Sequence, residues 1–225
     1  MELRLPDVTA TAFATYSTGE VNKPGGGGSL DWRVNDHIEL GLRGEVFSLD
    51  TPLRALFKDT TANEVSGAAT YRWNESSQVS LSGSYLDFTD GNNRFNAGID
   101  AAQRLVDIPH FDLTGHAAIS ASSNSRRDVD YYNPEKDLTA TIGLVGEHVL
   151  WRQYQDSLVQ RFTLDIGAYA EKNYDTAWIG SLGYEHDWQL GPRTAFHYGV
   201  LLSRHVYDGD PEYGVAATLG LSERF

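Results

Sequence analysis

A chain of 225 residues with no cysteine, a net charge of -13 and a mean hydropathy of -0.40 excludes several classes at once. No disulfide framework or thiolate metal site is possible, nucleic acid is a poor partner for so acidic a chain, and no long apolar run offers a transmembrane helix. A transmembrane β-barrel stays open, because lipid-facing apolar residues alternate with lumen-facing polar ones and the average remains hydrophilic.

The first residues, Met1 to Pro6, lack the basic and apolar regions of a signal peptide. From there, alternation with a period of two, bounded by turn residues, predicts twelve strands. They span 7–17, 28–35, 36–48, 61–73, 77–88, 94–106, 110–122, 137–149, 157–171, 175–189, 193–207 and 212–225. The glycine run Gly25 to Gly28 falls between the first two and reads as part of an external loop. In the ninth strand Phe162, Leu164, Ile166, Ala168 and Ala170 alternate with Arg161, Thr163, Asp165, Gly167 and Glu171. In the twelfth, Tyr213, Val215, Ala217, Leu219, Leu221 and Phe225 share one face.

The connections alternate as well. Tight ones follow the even strands, at 35–36, 74–76, 107–109, 151–156 and 190–192. Longer ones follow most odd strands, at 18–27, 49–60, 89–93 and 123–136. Bacterial barrels have short periplasmic turns and longer external loops, so the chain should end at the periplasmic rim. In that orientation Tyr16, Tyr85, Phe95, Trp178 and Tyr213 fall near the outer strand ends. Trp32, Tyr71, Trp73, Phe111, Trp188, Phe196 and Phe225 fall near the inner ends. Two aromatic belts around an aliphatic middle are what the two membrane interfaces select. A soluble sandwich or lipocalin-like barrel accounts for the alternation and not for the belts. The expected fold is therefore all-β, an antiparallel up-and-down transmembrane barrel over residues 1–225.

The chemistry is sparse. Seven histidines are scattered without metal-ligand spacing. His116 and Ser120 share a strand face, but residues four apart on a strand are about 13 Å apart and cannot form a dyad. Asp128, Asp130, Glu135 and Asp137, and likewise Asp208, Asp210 and Glu212, lack calcium-loop spacing and read as solvated loop charge. No catalytic residue, metal ligand or cofactor is assigned. The informative set is the inward one. Asp31, Glu39, Glu45, Glu64, Asp100, Asp112, Glu147, Asp165, Glu171, Glu185 and Asp187 face Arg33, Arg43, Arg72, Arg104 and Arg161, acids exceeding bases roughly two to one. Glu147, Asp165, Glu185 and Asp187 cluster on three adjacent strands with essentially Arg161 to oppose them. Such a lining either pairs within a filled barrel or makes a cation-attracting bore. Phe13, Phe47 and Tyr169 on the same face add flat surfaces on which sugar rings could stack.

Several short motifs occur in one order: Pro52-Leu53-Arg54-Ala55-Leu56, Tyr71-Arg72-Trp73, Asp87-Phe88-Thr89-Asp90, Tyr131-Tyr132-Asn133-Pro134, Leu150-Trp151-Arg152-Gln153-Tyr154 and Tyr207-Asp208-Gly209-Asp210, closed by Arg224-Phe225. From about Lys23 onwards the chain resembles the C-terminal barrel of the poly-N-acetylglucosamine (PNAG) export porins, the PgaA (HmsH-like) family. The resemblance implies the last twelve strands of a sixteen-stranded barrel in the Gram-negative outer membrane. It implies that a periplasmic domain of tetratricopeptide repeats, which engages a deacetylase lipoprotein, is missing from this sequence. It also implies a partly deacetylated glucan as cargo for the biofilm matrix, outer-membrane lipid as surroundings, and no catalytic step. Two other readings stand beside it: a general diffusion porin or cation channel, and a structural or adhesion barrel acting through external loops such as 123–136.

Overall fold

The computed structural model describes residues 6–18 and 22–223, together with the backbone of residues 2–4. Its strands are β1 (Glu2–Arg4), β2 (Val8–Ser17), β3 (Lys23–Arg33), β4 (Ile38–Val46), β5 (Ala62–Asn74), β6 (Ser77–Phe88), β7 (Asn93–Ile108), β8 (Phe111–Asn124), β9 (Lys136–Gln153), β10 (Asp156–Glu171), β11 (Ala177–Leu190), β12 (Thr194–Tyr207) and β13 (Asp210–Glu223). A one-turn helix, α1 (Leu53–Leu56), lies between β4 and β5. Strand order follows chain order throughout, and the pairings from β1 to β6 and from β10 to β13 are antiparallel. Strands β2 to β13 are the twelve expected from alternation, and nearly all of them reach the 9–11 residues that a tilted strand needs to cross a bilayer. By contacts the chain divides into two compact units. One is Met1–Asp100 with Ile119–Leu138 and Glu171–Asn173; the other is Ala101–Ala118 with Thr139–Ala170 and Tyr174–Phe225.

Two expectations need correction. The three-residue β1, paired with β2 through Glu2 and Thr11, was not anticipated. Gly25 to Gly28 are not a loop but lie in β3, where Gly25 opposes Thr15 and Gly28 opposes Gly44. The physical reason is crowding. A Cβ on Gly25 would meet Thr15 Oγ1 at 2.8 Å and the Val46 carbonyl at 2.9 Å, and one on Gly26 would meet the Phe13 carbonyl at 2.8 Å. Phe225, expected at the inner belt, lies outside the described residues.

The turns show why short connections sufficed. Asp208 and Gly209 both have positive φ, 52° and 84°, as a type I′ two-residue hairpin requires. Connections after β3, β5, β7, β9 and β11 are two to four residues long, whereas 47–61 and 125–135 are extended loops. The expected asymmetry is carried by these two loops, since the connections 89–92, 172–176 and 208–209 after other even-numbered strands are two to five residues long.

Burial is inverted relative to a soluble sheet. Along β10, Phe162, Leu164, Ile166 and Ala168 are exposed, while Arg161, Thr163, Asp165 and Gly167 between them are half-buried. Register carries the apolar face onward: Leu164 opposes Leu182, which opposes Leu202, which opposes Val215. Val215 is 76% exposed. Rows of large apolar side chains left open in mid-strand suit a hydrocarbon solvent and would be a liability in water. The buried apolar cluster of the first unit sits instead at the loop end of its strands. Ala55 of α1, Ala62, Leu86, Phe88 and Tyr131 pack there, and Asn92, whose carbonyl accepts from the Phe88 amide, is 0% exposed. The Asn92 side-chain nitrogen lies 3.1–3.3 Å from Asn124 Oδ1, Tyr131 Oη and Asn133 Oδ1, sharing its two hydrogens among them, and thereby ties loop 125–135 to the strand ends.

Candidate functional site: the charged polar face

In the first unit the polar face is built in rows set by register. Ser29, Arg43, Ser66 and Ser84 oppose one another across β3 to β6, and Asp31, Gly41, Ala68 and Ser82 form the next row. Because the side chains of these rows other than Arg43 and Asp31 are small or absent, they leave a trough of about 600 Å³, with Asp31 and Asp100 among its walls. Among the described residues, neither aspartate side chain has an ion-pair partner. The glutamates behave differently. Glu39 takes Arg72 Nη1 at 2.6 Å, Glu45 pairs with Arg43, and Glu64 accepts the Ser48 hydroxyl at 2.5 Å. Arg43 also lies 5.5 Å over the Phe13 ring, so that ring is already covered by a cation. Glu171 is buried at the end of β10 and accepts the Tyr132 hydroxyl at 3.0 Å, which makes it an anchor for loop 125–135.

Phe47 lies just beyond β4, with φ at 60°, so strand alternation does not set its direction. Its Cβ nevertheless comes within 3.1 Å of where Gly25 would carry one, beside Thr15 on the polar face. Tyr169 sits near the outer end of β10, opposite Ala177. The loop carboxylates are occupied by cations: Asp128 by Arg126 at 3.2 Å, Asp130 by Lys58 at 3.6 Å, and Glu135 by both Arg127 and Lys172. The Arg126 guanidinium, hydrogen-bonded to Asp128, holds that carboxyl below the usual range.

In the second unit the four clustered acids do lie on one face, and each has a partner. Arg161 bridges Glu147 at 2.7 Å and Glu185 at 3.4 Å. Asp165 is held by His116 Nε2 at 2.6 Å and by the Ser181 hydroxyl at 2.8 Å. Asp187 is held by His197 Nδ1 at 2.8 Å, and His197 Nε2 lies 3.3 Å from the Thr218 hydroxyl. The only fixed positive charge in this set is Arg161, so the cluster remains acidic whenever the two imidazoles are neutral. Asp112, at the start of β8, has no ion pair among the described residues. Arg104 is taken by Asp107, three residues along, at 2.9 Å.

Sequence reasoning missed His116, His197 and Ser181 as partners. No local spacing could have found them, because His116 is 49 residues from Asp165 and only strand order brings them together. It also missed the serine-lined trough, whose signal was the run of Ser and Gly at alternate positions 80, 82 and 84 and at 67, 83 and 98.

The described aromatic residues among those assigned to the membrane interfaces lie on the apolar face. Trp32, Tyr71 and Trp73 are all about half exposed in the first unit, and Tyr71 stacks on Trp73 at 6.2 Å. In the second, Trp188 opposes Phe196, which opposes Leu221, near the short turns. Trp178 and Tyr213, at the other strand ends, flank Arg204, whose guanidinium carbon is 4.2 Å from the Trp178 ring centre.

A family model described as the PgaA membrane beta barrel domain matches residues 1–225. The poly-beta-1,6-N-acetyl-D-glucosamine export protein of Escherichia coli (strain K12) is 28% identical over 206 residues, 91% of this chain and 25% of that protein. The protein of the same description from Escherichia coli O157:H7 matches to the same extent. The chain thus spans about a quarter of the length of these curated relatives. Among solved structures, one described as a bacterial polysaccharide outer membrane secretin is 26% identical, with a TM-score of 0.92 over 100% of this chain and 78% of that chain. These relatives are described as export and secretion proteins and not as enzymes. With a match over its whole length, alternating faces turned apolar side outward and an up-and-down strand order, the chain belongs to the PgaA membrane β-barrel domain family.

Proposed function

We propose that this domain forms part of an outer-membrane pore that exports a partly deacetylated poly-N-acetylglucosamine, with its polar face turned to the passing chain. The observation that carries the reading is the acidic cluster around Arg161, where four carboxylates meet one fixed positive charge. A glucan with some acetyl groups removed carries ammonium groups, and carboxylates in a low-dielectric channel raise the local concentration of such charges. Many weak sites in series allow movement, whereas one tight site would stall it. The serine-lined trough supports the same reading, since hydroxyls and the Asp31 and Asp100 carboxylates, without an ion-pair partner among the described residues, can trade hydrogen bonds with sugar hydroxyls and ammonium groups. The deacetylase lipoprotein expected as a partner belongs to this proposal, because it would create the positive charges that the face attracts. The polymer named in the relatives' descriptions fits these demands.

The test is a chimera in which these 225 residues replace the corresponding barrel region of the full-length Escherichia coli relative, in cells lacking their own exporter. Secretion of the polymer at a level within reach of the parent supports the reading. A chimera that assembles in the outer membrane and conducts small ions, yet secretes no polymer, would favour the plain porin instead.

A further inference from the structure

The apolar face of the second unit is interrupted at one level by polar groups. His148, Gln160, Tyr184, His186 and Tyr198 share the parity of Leu144, Leu164, Leu182 and Val200, and they follow one another across β9, β10, β11 and β12. They bond in series. Gln160 Nε2 lies 2.8 Å from His148 Nδ1, and the Tyr184 hydroxyl donates to Gln160 Oε1 at 3.1 Å. His186 Nε2 lies 2.7 Å from Tyr184 Oη, and its Nδ1 lies 2.5 Å from Tyr198 Oη. Rings pack along the row, with Tyr184 and His186 4.9 Å apart and His186 and Tyr198 5.1 Å apart. Phe162 and Phe196 flank it, and Phe111 meets His148 edge-on. The row faces away from the carboxylates, so export makes no use of it.

Donor counting gives the neutral row a direction. The single proton of Tyr184 goes to Gln160, so His186 must carry its hydrogen on Nε2 and donate it to Tyr184 Oη. Its bare Nδ1 then accepts from Tyr198. Gln160, its oxygen already used, donates its amide hydrogen to His148 Nδ1, which leaves the His148 hydrogen on Nε2. That N–H ends the row and has no acceptor among the described residues. Bonds polarised in one direction strengthen the terminal donor, and a donor facing hydrocarbon without a partner is unfavourable.

We infer that this row is a binding site for the glycerol ester region of a phospholipid, whose ester oxygens accept from His148 Nε2. Depth supports the assignment. If Trp188 marks the headgroup level, His186 and Tyr184 lie about 5 and 10 Å deeper, given the usual strand rise and tilt. The glycerol ester oxygens lie below the phosphate and reach the level of His186 and of His148 beside Gln160, and they are acceptors without donors, which matches a row that ends in a donor. A second protein surface would bring both kinds of group. The inference rests on the membrane-barrel family and not on what crosses the barrel, so it can fail while the export reading stands, and the reverse.

Native mass spectrometry of the folded chain, released from detergent micelles doped with phosphatidylethanolamine, tests it. The expected result is a retained lipid adduct whose occupancy falls about fivefold in both His148→Leu and Tyr184→Phe, the worth of one hydrogen bond. His148→Gln, which keeps an N–H, should retain the adduct, and inorganic phosphate should not displace it. Gel mobility before and after heating reports whether each variant is folded, and Tyr184→Phe carries the test if His148→Leu does not fold. Equal adducts in all variants, or displacement by inorganic phosphate, would overturn the inference. So would a change in the monomer–dimer ratio with lipid occupancy untouched, which would identify a protein interface.

Discussion

Asp165 on β10 accepts a hydrogen bond from His116 Nε2 on β8 at 2.6 Å, reaching over the intervening β9 at Gly143. The same carboxylate takes the Ser181 hydroxyl from β11 at 2.8 Å. One side chain therefore ties its own strand to two others, β8 and β11, on the polar face, in addition to the backbone ladder. The bond exists because Gly143 has no side chain: a Cβ there would overlap both Asp165 Oδ1 and His116 Nε2.

Gly143→Ala should accordingly break the His116–Asp165 bond. Loss of a partly buried, charge-assisted hydrogen bond with its partners left in place costs about 1–3 kcal/mol. Urea unfolding of the barrel reconstituted in lipid vesicles should show the loss as a lower midpoint. An unchanged midpoint would mean the pair contributes nothing to holding the face.

Arg161→Gln should act on charge with the opposite sign to acid removal. Arg161 is the fixed cation between Glu147 and Glu185, so its loss leaves two facing carboxylates unopposed. Cation preference, read as the reversal potential of reconstituted full-length exporter in a salt gradient, should rise and should weaken at high ionic strength. A fall in cation preference would contradict the placement of these groups along the bore.

Orientation is tested by arginine substitution on the two faces. Leu164 is exposed on the apolar face in line with Leu182 and Leu202, and Ile142 lies on the same face of β9. Ile142→Arg or Leu164→Arg should cost about 2–4 kcal/mol near the bilayer midplane and reduce the assembled fraction in the outer membrane. Thr141→Arg, on the polar face, should be far milder. Equal damage from both kinds of variant would invalidate the assignment of faces.

Loop 125–135 offers a pH test outside the membrane. Burial pushes the Tyr131 hydroxyl up to about 12 from an ordinary 10.0, with the Asn92 bond opposing part of the shift. The folded state holds this proton more tightly than the unfolded chain. Its stabilising contribution is therefore complete below about pH 10 and is lost as pH rises through about 12. Ultraviolet titration should show a late-titrating component that Tyr131→Phe removes. Identical titration curves for the parent chain and Tyr131→Phe would show that the loop is open.

Most of the fold was legible because its signal is local. Leu164 beside Asp165, or Leu219 beside Gly220, declares a face by parity alone, and Asp208-Gly209 declares a hairpin by backbone preference. Gly25 to Gly28 were not legible, since glycine carries no parity and the crowding that requires it comes from Thr15 and Val46 on neighbouring strands. The candidate site was legible in its composition and not in its bonding. The excess of carboxylates could be counted, but the partnerships of Asp165 with His116 and of Asp187 with His197 depend on register across strands. The docking of loop 125–135 on Asn92 was likewise hidden, because it joins residues more than thirty apart.

The acidic cluster is the centre of the account, and its neutralisation is the most direct test. In a full-length exporter carrying this barrel, Glu147→Gln, Asp165→Asn, Glu185→Gln and Asp187→Asn together leave Arg161 as an unopposed cation while preserving size and hydrogen-bonding capacity. The measurement is secreted deacetylated polymer per assembled barrel, with assembly followed by gel mobility before and after heating. The account predicts strongly reduced secretion at an unchanged barrel level, with each single substitution having little effect because no one site binds tightly. Undiminished secretion by the fourfold variant would contradict it and leave the carboxylates with a structural role alone.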